Sequence, residues 1–535
     1  MAETRTIVVG AGAGGIAAAI ALAAAGRDVL VLERGPRLGG KMRDVSAGGS
    51  PVPGGPTVMT MRWAFDDLLA TAGTTLEEVA TVHPSRTLAR HAWTDGSRLD
   101  LMADTEEAAD AIGNFAGAAE AEGFRSFTAE ARRIHDILLD THMRAQRPSF
   151  AGLMGRIGPR RFPDMLALRP YSSLWKALQG HFTDPRLIQL FGRYSTYTGS
   201  SPFAIPATLM LVAHAEREGV WRVEGGMAGL ARVLVGVAEG LGVSFRYGAQ
   251  VSRVEIEGGR ATGVRLAGGE RVPADGVVLN CDANAVHAIA PEAGVPRVPA
   301  AKRSYSAITI CAVARTDFPL AHHTVFFSDD YRAEFDALAA GRVPDVPSTY
   351  ICAPDRDDGG ARTGTDRTAD GAERMLMLVN APPDGDRRDH AGGVERCRTR
   401  MVRLLERCGM ECTIEAETVT TPTGFAALHP GTGGALYGRT TDGPFAGFRR
   451  PGALTAVPNI VLAGGSCHPG PGVPMATVSG HLAAEALLGM ERREGVVGAR
   501  RPTAARASTR PSRRAATSGG TSTASPTTAP MPSRS

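Results

Sequence analysis

Apolar positions change period several times along the chain. Thr6 to Val9 is a short β-branched run, residues 16 to 25 are strong helix formers, and VLVLE, Val29 to Glu33, is strand-like again. The alternation returns later: residues 225 to 242 predict a helix, VSFRY a strand, Val251 to Val254 another strand, and a glycine-rich hairpin region then leads through ADGVVLN, Ala274 to Asn280. Ser348 to Ala353 and Met375 to Asn380 predict strands of a different, mixed sheet, and NIVLA predicts a buried strand ending just before Gly464. PDRDDGGARTGTDRTADGAE lacks apolar periodicity and is expected to be a solvated loop. The tail, rich in Ala, Arg, Pro, Ser, Thr and Gly, cannot bury a core and is expected to be disordered.

Length and charge refine this pattern. At 535 residues the chain is large enough for two domains. Its formal charge is +4, but the last 40 residues hold seven arginines and no acid, and subtracting those seven leaves −3 on the body. A mildly acidic body with few aromatics argues against nucleic acid as a partner. Seven scattered cysteines without a C-x-x-C argue against both a disulfide framework and a metal site. No apolar run reaches the length of a membrane span. The N-terminal alanine-rich run resembles a secretory h-region, but Glu3, the interrupting glycines and the missing basic n-region argue against cleavage.

The order of the first elements explains that run better. Gly10, Gly12 and Gly15 form G-x-G-x-x-G between a strand and a helix, and an acid, Glu33, ends the next strand. Gly10 permits the turn, Gly12 admits a pyrophosphate close to the backbone, Gly15 allows close helix packing, and Glu33 can accept from a ribose hydroxyl. Arg34, Gly39, Gly40 and Lys41 follow at once, a second glycine turn with cationic side chains. A nicotinamide site has no need of that turn, so the expected cofactor is FAD. Val251 is placed for an adenine contact.

The fingerprint, GGKM at Gly39 to Met42, GGPTVMTMRW at Gly54 to Trp63, YSTYTGSSPFAIPA at Tyr194 to Ala207, EREGVWRVEGGMAGL at Glu216 to Leu230, GGALYGR at Gly433 to Arg439, and GGSCHPGPGVPMATVSG at Gly464 to Gly480 together resemble the phytoene desaturase family of FAD-dependent carotenoid oxidoreductases. Within it the chain is most similar to the methoxyneurosporene dehydrogenase (hydroxyneurosporene desaturase) branch. The resemblance runs from about Arg5 to about Met490. One departure is visible: Pro53 and Gly54 stand where the family usually carries Asp-Ala before Gly-Pro-Thr.

The resemblance implies an α/β fold: an FAD-binding Rossmann-like (two-dinucleotide-binding) domain with an inserted α+β substrate domain. The cofactor domain is expected at residues 1–90, 222–300 and 455–495, the substrate domain at 91–221 and 301–454, and the disordered tail at 496–535. Cofactor contacts are expected from Gly10, Gly12, Gly14, Gly15, Glu33, Arg34, Gly40, Lys41, Gly55, Pro56, Thr57 and Val251. Gly464 and Gly465 would deliver the last strand to the flavin, and backbone near Pro474, Met475 and Ala476 would face the ring edge at a helix N-terminus.

The implied chemistry is introduction of a C=C bond into a hydroxylated or methoxylated acyclic carotenoid by hydride transfer to flavin N5, with a quinone or oxygen as later electron acceptor. His468 is a candidate for proton removal, its alternative being a structural hydrogen bond. Arg62 is a candidate to orient a substrate hydroxyl, its alternative being a carboxylate pair. Tyr197, Trp221 and Tyr437 are candidate tunnel residues, with core packing as the alternative. Other readings on the same fold are a phytoene or neurosporene desaturase, a flavin-dependent carotenoid isomerase, and a non-redox isoprenoid-binding protein of the GDP-dissociation-inhibitor type. An amine oxidase is disfavoured by the low aromatic content. Residues 141–182 interleave arginines with Met, Leu, Phe and Trp, as a monotopic surface would, so the protein is expected in the bacterial cytoplasm, peripherally on the membrane.

Overall fold

The computed structural model describes residues 5–146, 149–363 and 371–499. A five-stranded parallel sheet carries strands in the order Ile460–Leu462, Gly276–Leu279, Arg5–Val9, Asp28–Leu32, Ser244–Arg246. Ile7 lies opposite Leu30 on one side and Val277 on the other, so the strands run in register and end at one edge. Because all are parallel, that carboxyl edge collects Gly10, Glu33, Asn280 and Gly464 from four distant parts of the chain. The inner strands are continuous apolar runs, as burial on both faces requires.

Helices cover one face. Ile16, Ile20 and Leu22 of Ala13–Ala24 share a core with Leu230 and Leu234 of Gly226–Gly240 and with Ala483, Ala484 and Leu487 of the last helix, Val473–Ala499. The other face packs Ile7, Val9 and Leu279 against Val254 and Val264 of a three-stranded antiparallel sheet, Val251–Glu257, Arg260–Leu266 and Arg271–Pro273.

A second, seven-stranded sheet runs Thr413–Thr420, Ser306–Arg315, Glu373–Ala381, Thr349–Cys352, His323–Phe326, Thr87–Ala92, Arg98–Met102. All its pairings are antiparallel except His323–Phe326 with Thr87–Ala92. Helices including Thr105–Ala116 and Ala118–Leu138 supply its aromatic core through Phe124 and Phe127. The α/β fold with an α+β substrate part is thus as expected, but the boundary at residue 90 is corrected. Thr87–Ala92 belongs to the larger sheet, a membership that a six-residue TLARHA run cannot reveal: it pairs with Arg98–Met102 nearby, but the strand that joins both to the sheet, His323–Phe326, lies more than 200 residues away.

The solvated-loop expectation for the stretch after Ala353 is also corrected at its ends. Asp355, Arg356 and Glu373 are buried, Arg356 holding Glu373 through Nε at 2.7 Å and donating to the carbonyls of Phe318 and Leu320. Its middle, residues 364–370, lies outside the described residues, as does the expected disordered tail from residue 500 onward. The chain divides into Met1–Glu491 and Arg492–Ser535, and of the second unit only the end of the last helix is described.

Candidate functional site

The first glycine turn is shaped by Asn280. Its Nδ2 donates to the Gly10 carbonyl at 3.0 Å, and its backbone N–H donates to Val9. Gly10 has φ +102°, the left-handed region that favours glycine. A Cβ on Gly14 would stand 2.8 Å from Asn280 Oδ1 and from Gly464 Cα, and one on Gly15 would stand 2.1 Å from the Gly10 carbonyl. The N-terminal fingerprint and the last strand therefore meet without a side chain between them. Gly480 closes the same junction from the last helix, where a Cβ would be 2.1 Å from the Gly14 carbonyl.

Helix Ala13–Ala24 begins at this turn with no side-chain cap and no acid in its first turn, leaving N–H groups for an anion. Glu33 is fixed beside it: Oε2 accepts from the Ala11 N–H at 2.8 Å and Oε1 from the Gly35 N–H at 2.7 Å, and each oxygen keeps a lone pair. Ala249, two residues before Val251, donates its N–H to the Glu33 carbonyl, and Val251 shares a buried core with Val9 and Leu32. Gly40 packs on Gly12, where a Cβ would lie 3.1 Å from its Cα. This is a backbone cradle ending in a carboxylate, and it fits the pyrophosphate and ribose of FAD.

Two cations expected at the cofactor have protein partners. Lys41 Nζ donates to the Leu436 carbonyl, and burial pulls its pKa down despite Asp282. Arg34 Nη2 donates to the carbonyls of Ala427 and Leu428, which fastens the helix Pro422–Leu428 to the strand end and spends the group away from the glycine turns.

At the other end lies a cavity of about 420 Å³. Gly55, Pro56 and Thr57 form one wall and Pro471 to Met475 another, so the predicted flavin-edge loops and the cavity are one site. The last helix begins at Val473, one residue earlier than expected. Ala476 accordingly donates its N–H to Gly472, and Pro474 has none, so the free N–H groups of the first turn are those of Val473 and Met475. Gly465 is pinned by Arg450, whose Nη1 donates to its carbonyl at 3.2 Å and to that of Tyr437 at 2.9 Å. At Gly54 a Cβ would be 2.3 Å from Val45 Cγ2 in the adjacent hairpin, which accounts for the glycine; nothing in the structure explains Pro53.

Tyr197 and Tyr437 line the cavity. Trp221 does not: its strand, Trp221–Val223, pairs with Val82–Pro84 and turns the ring toward a separate hollow shared with Arg62 and Glu77. Arg62 pairs with Asp66 and Glu77, so the carboxylate alternative is the one observed. His468 is 2% exposed and its Nε2–H donates to the Ala145 carbonyl at 2.8 Å. Burial pushes its pKa down to about 4. The structural hydrogen bond, rather than a proton relay, is what the structure shows for it.

Several cavity residues gave no local signal. Arg193, Glu216 and Glu334 are charged groups in a mainly apolar lining, and Glu334 accepts from the Ser348 N–H at 3.1 Å with its pKa raised by burial to about 7. Thr57 Oγ1 lies 2.6 Å from Tyr350 Oη, which lies 2.7 Å from His323 Nδ1. The YSTYTGSSP stretch could have flagged Arg193, which immediately precedes it.

Comparison with known proteins agrees with this geometry. The family model for flavin containing amine oxidoreductases matches residues 13–488. The hydroxyneurosporene desaturase of Rubrivivax gelatinosus is 45% identical, covering 98% of this chain and 98% of the relative. That of Cereibacter sphaeroides is 43% identical over 90% of this chain and 97% of its own, and the 4,4'-diapolycopene oxygenase of Methylomonas sp is 30% identical over 90% and 98%. Among solved structures, an oxidoreductase from Methanosarcina mazei (18% identity, TM-score 0.56, 91% of this chain and 100% of that one) and a redesigned putrescine oxidase (17%, 0.57, 91% and 99%) share the fold. The uncapped helix at a glycine turn, the fixed acid beside it and the flavin-edge loop lining an apolar cavity accordingly belong to a member of the flavin-containing amine oxidoreductase family, in the group that includes the hydroxyneurosporene desaturases.

Proposed function

We propose that the protein desaturates a hydroxylated or methoxylated acyclic carotenoid. The observation that carries this reading is that Pro471 to Met475 form both the start of the flavin-edge helix and a wall of the apolar cavity, so an oily chain in the cavity meets the cofactor directly. Leu153, Met165, Leu168, Leu209 and Val212 exclude water from that chain and hold it by burial. FAD, when bound, supplies the hydride acceptor. Two hydrogens leave the substrate as a hydride and a proton, and a quinone or oxygen takes up the electrons afterwards. Glu334, a cavity carboxyl with its pKa near neutrality, is the group this reading assigns to receive the proton. The N–H groups of Val473 and Met475 favour negative charge at the helix start.

The reading includes a membrane surface as the place of work. Among the described residues no helix is long and apolar enough to cross a membrane. Exposed Phe150, Tyr171 and Phe445 cluster instead by the cavity, Phe150 and Phe445 lining it and Tyr171 meeting Phe445 edge-on at 6.1 Å. Exposed Arg160 and Arg161 lie in the same region, suited to headgroups. The test is incubation of the flavin-loaded protein in liposomes with neurosporene, lycopene and their hydroxylated forms, with and without air. A longer polyene, seen as a red shift, is expected with the hydroxylated compounds. Activity on phytoene but on none of the hydroxylated ones would assign a different substrate.

A further inference from the structure

Arg193 stands out on the cavity wall. It is 7% exposed and follows the helix Pro185–Gly192 directly. Nη1 donates to Tyr197 Oη at 3.0 Å, while Nε and Nη2 are buried and have no hydrogen-bond partner. The guanidinium sits over the rings of Tyr197 and Tyr194, 5.1 and 5.5 Å from their centroids. Glu216, 3% exposed, is the nearby anion, but it does not pair with Arg193 directly. Its Oε1 accepts from Tyr197 Oη at 2.8 Å and its Oε2 accepts from Tyr194 Oη.

This arrangement has a definite polarity. Each oxygen of Glu216 already accepts a tyrosine hydroxyl, and each of those hydroxyls has spent its hydrogen, whereas two donor positions of Arg193 are left over. A buried donor without a partner is costly, and because Arg193 lines the cavity, a small turn of its guanidinium would offer those donors to an acceptor entering there. A hydrocarbon chain brings no acceptor. The oxygen of an alcohol and that of a methyl ether both bring lone pairs; the alcohol's hydrogen can go to a lone pair that Glu216 keeps, and the ether needs no acceptor in return.

We propose that Arg193, held by Tyr197 and Glu216, is the subsite for the oxygen at the end of the substrate and that it makes the enzyme choose oxygen-bearing carotenoids over all-hydrocarbon ones. The inference rests on the desaturase reading and adds the residue that decides specificity within it. It also fixes the pose: one end of the chain is anchored at Arg193, and the cavity sets which carbons reach the flavin edge.

The test compares kcat/KM for hydroxylated, methoxylated and unsubstituted neurosporene in liposomes, using the flavin-loaded full chain as wild type, Arg193→Met and Tyr197→Phe. The wild type is expected to prefer both oxygenated substrates by at least about tenfold, and Arg193→Met to bring the ratio close to one. Tyr197→Phe is expected to lower the ratio too, because removal of the bridging hydroxyl lets Arg193 turn its donors to Glu216. A wild-type enzyme that oxidises all three substrates equally, or variants that lose activity on all three while keeping the ratio, would overturn the subsite. A wild type that oxidises none of them would instead refute the desaturase reading itself. Should Arg193→Met fail to fold with flavin, the wild-type ratio and Tyr197→Phe decide the matter.

Discussion

Replacing Glu334 by glutamine is expected to stabilise the protein at alkaline pH and to leave it nearly unchanged in acid. Glu334 lies in the helix Tyr331–Ala339 and is 2% exposed, with hydrogen bonds from the Ser348 N–H and, at 3.4 Å, from Asn380 Nδ2. Those donors favour the charged form, but burial outweighs them and raises the pKa from 4.5 to about 7. A group with a raised folded pKa contributes stability that is complete below its unfolded pKa and is lost as the pH climbs through the folded one. The lost amount is the shift multiplied by about 1.4 kcal/mol per unit, or about 3 kcal/mol above pH 8. Glutamine, neutral throughout, escapes that loss.

The assay is urea unfolding of the flavin-loaded wild type and Glu334→Gln at several pH values between 5 and 8, read as the difference in unfolding free energy. Taking the difference removes the buried histidines common to both proteins. His142 and His468, pushed down by burial to about 3 and about 4, oppose stability only as the pH falls below the unfolded histidine value. The difference should grow by about 2.5 kcal/mol from pH 5 to pH 8, the rest of the loss falling below pH 5. A flat difference, or one that shrinks with pH, would refute the reasoning that burial governs this carboxyl.

Gly480→Ala places a methyl 2.1 Å from the Gly14 carbonyl and 2.9 Å from Ala17 Cβ, so the first and last helices must separate. A loss of about 3 kcal/mol and a lower flavin-to-protein absorbance ratio are expected, and an unchanged ratio would contradict the junction described here. His468→Gln keeps a donor toward the Ala145 carbonyl and is expected to retain turnover within about tenfold. Abolished turnover with a native flavin spectrum would restore His468 as a proton carrier.

What the sequence determined by itself was local and periodic. The turn at Gly10, the strand ending in Glu33 and the glycine-proline loop after NIVLA could be read because each depends on neighbours within a few residues, through φ requirements and apolar period. The tertiary structure decided everything that depends on encounter. It brought Gly14 against Gly464 and Gly480, placed Thr87–Ala92 in the larger sheet, turned Trp221 away from the cavity and spent Arg34 and Arg62 on partners elsewhere. It also assembled Arg193, Tyr197 and Glu216 on an apolar wall, a constellation with no local signature, since a charged residue in an amphipathic stretch normally faces water. Backbone conformation is set by the residue and its nearest neighbours, whereas burial and hydrogen-bond partnership are set by whichever distant segment packs alongside.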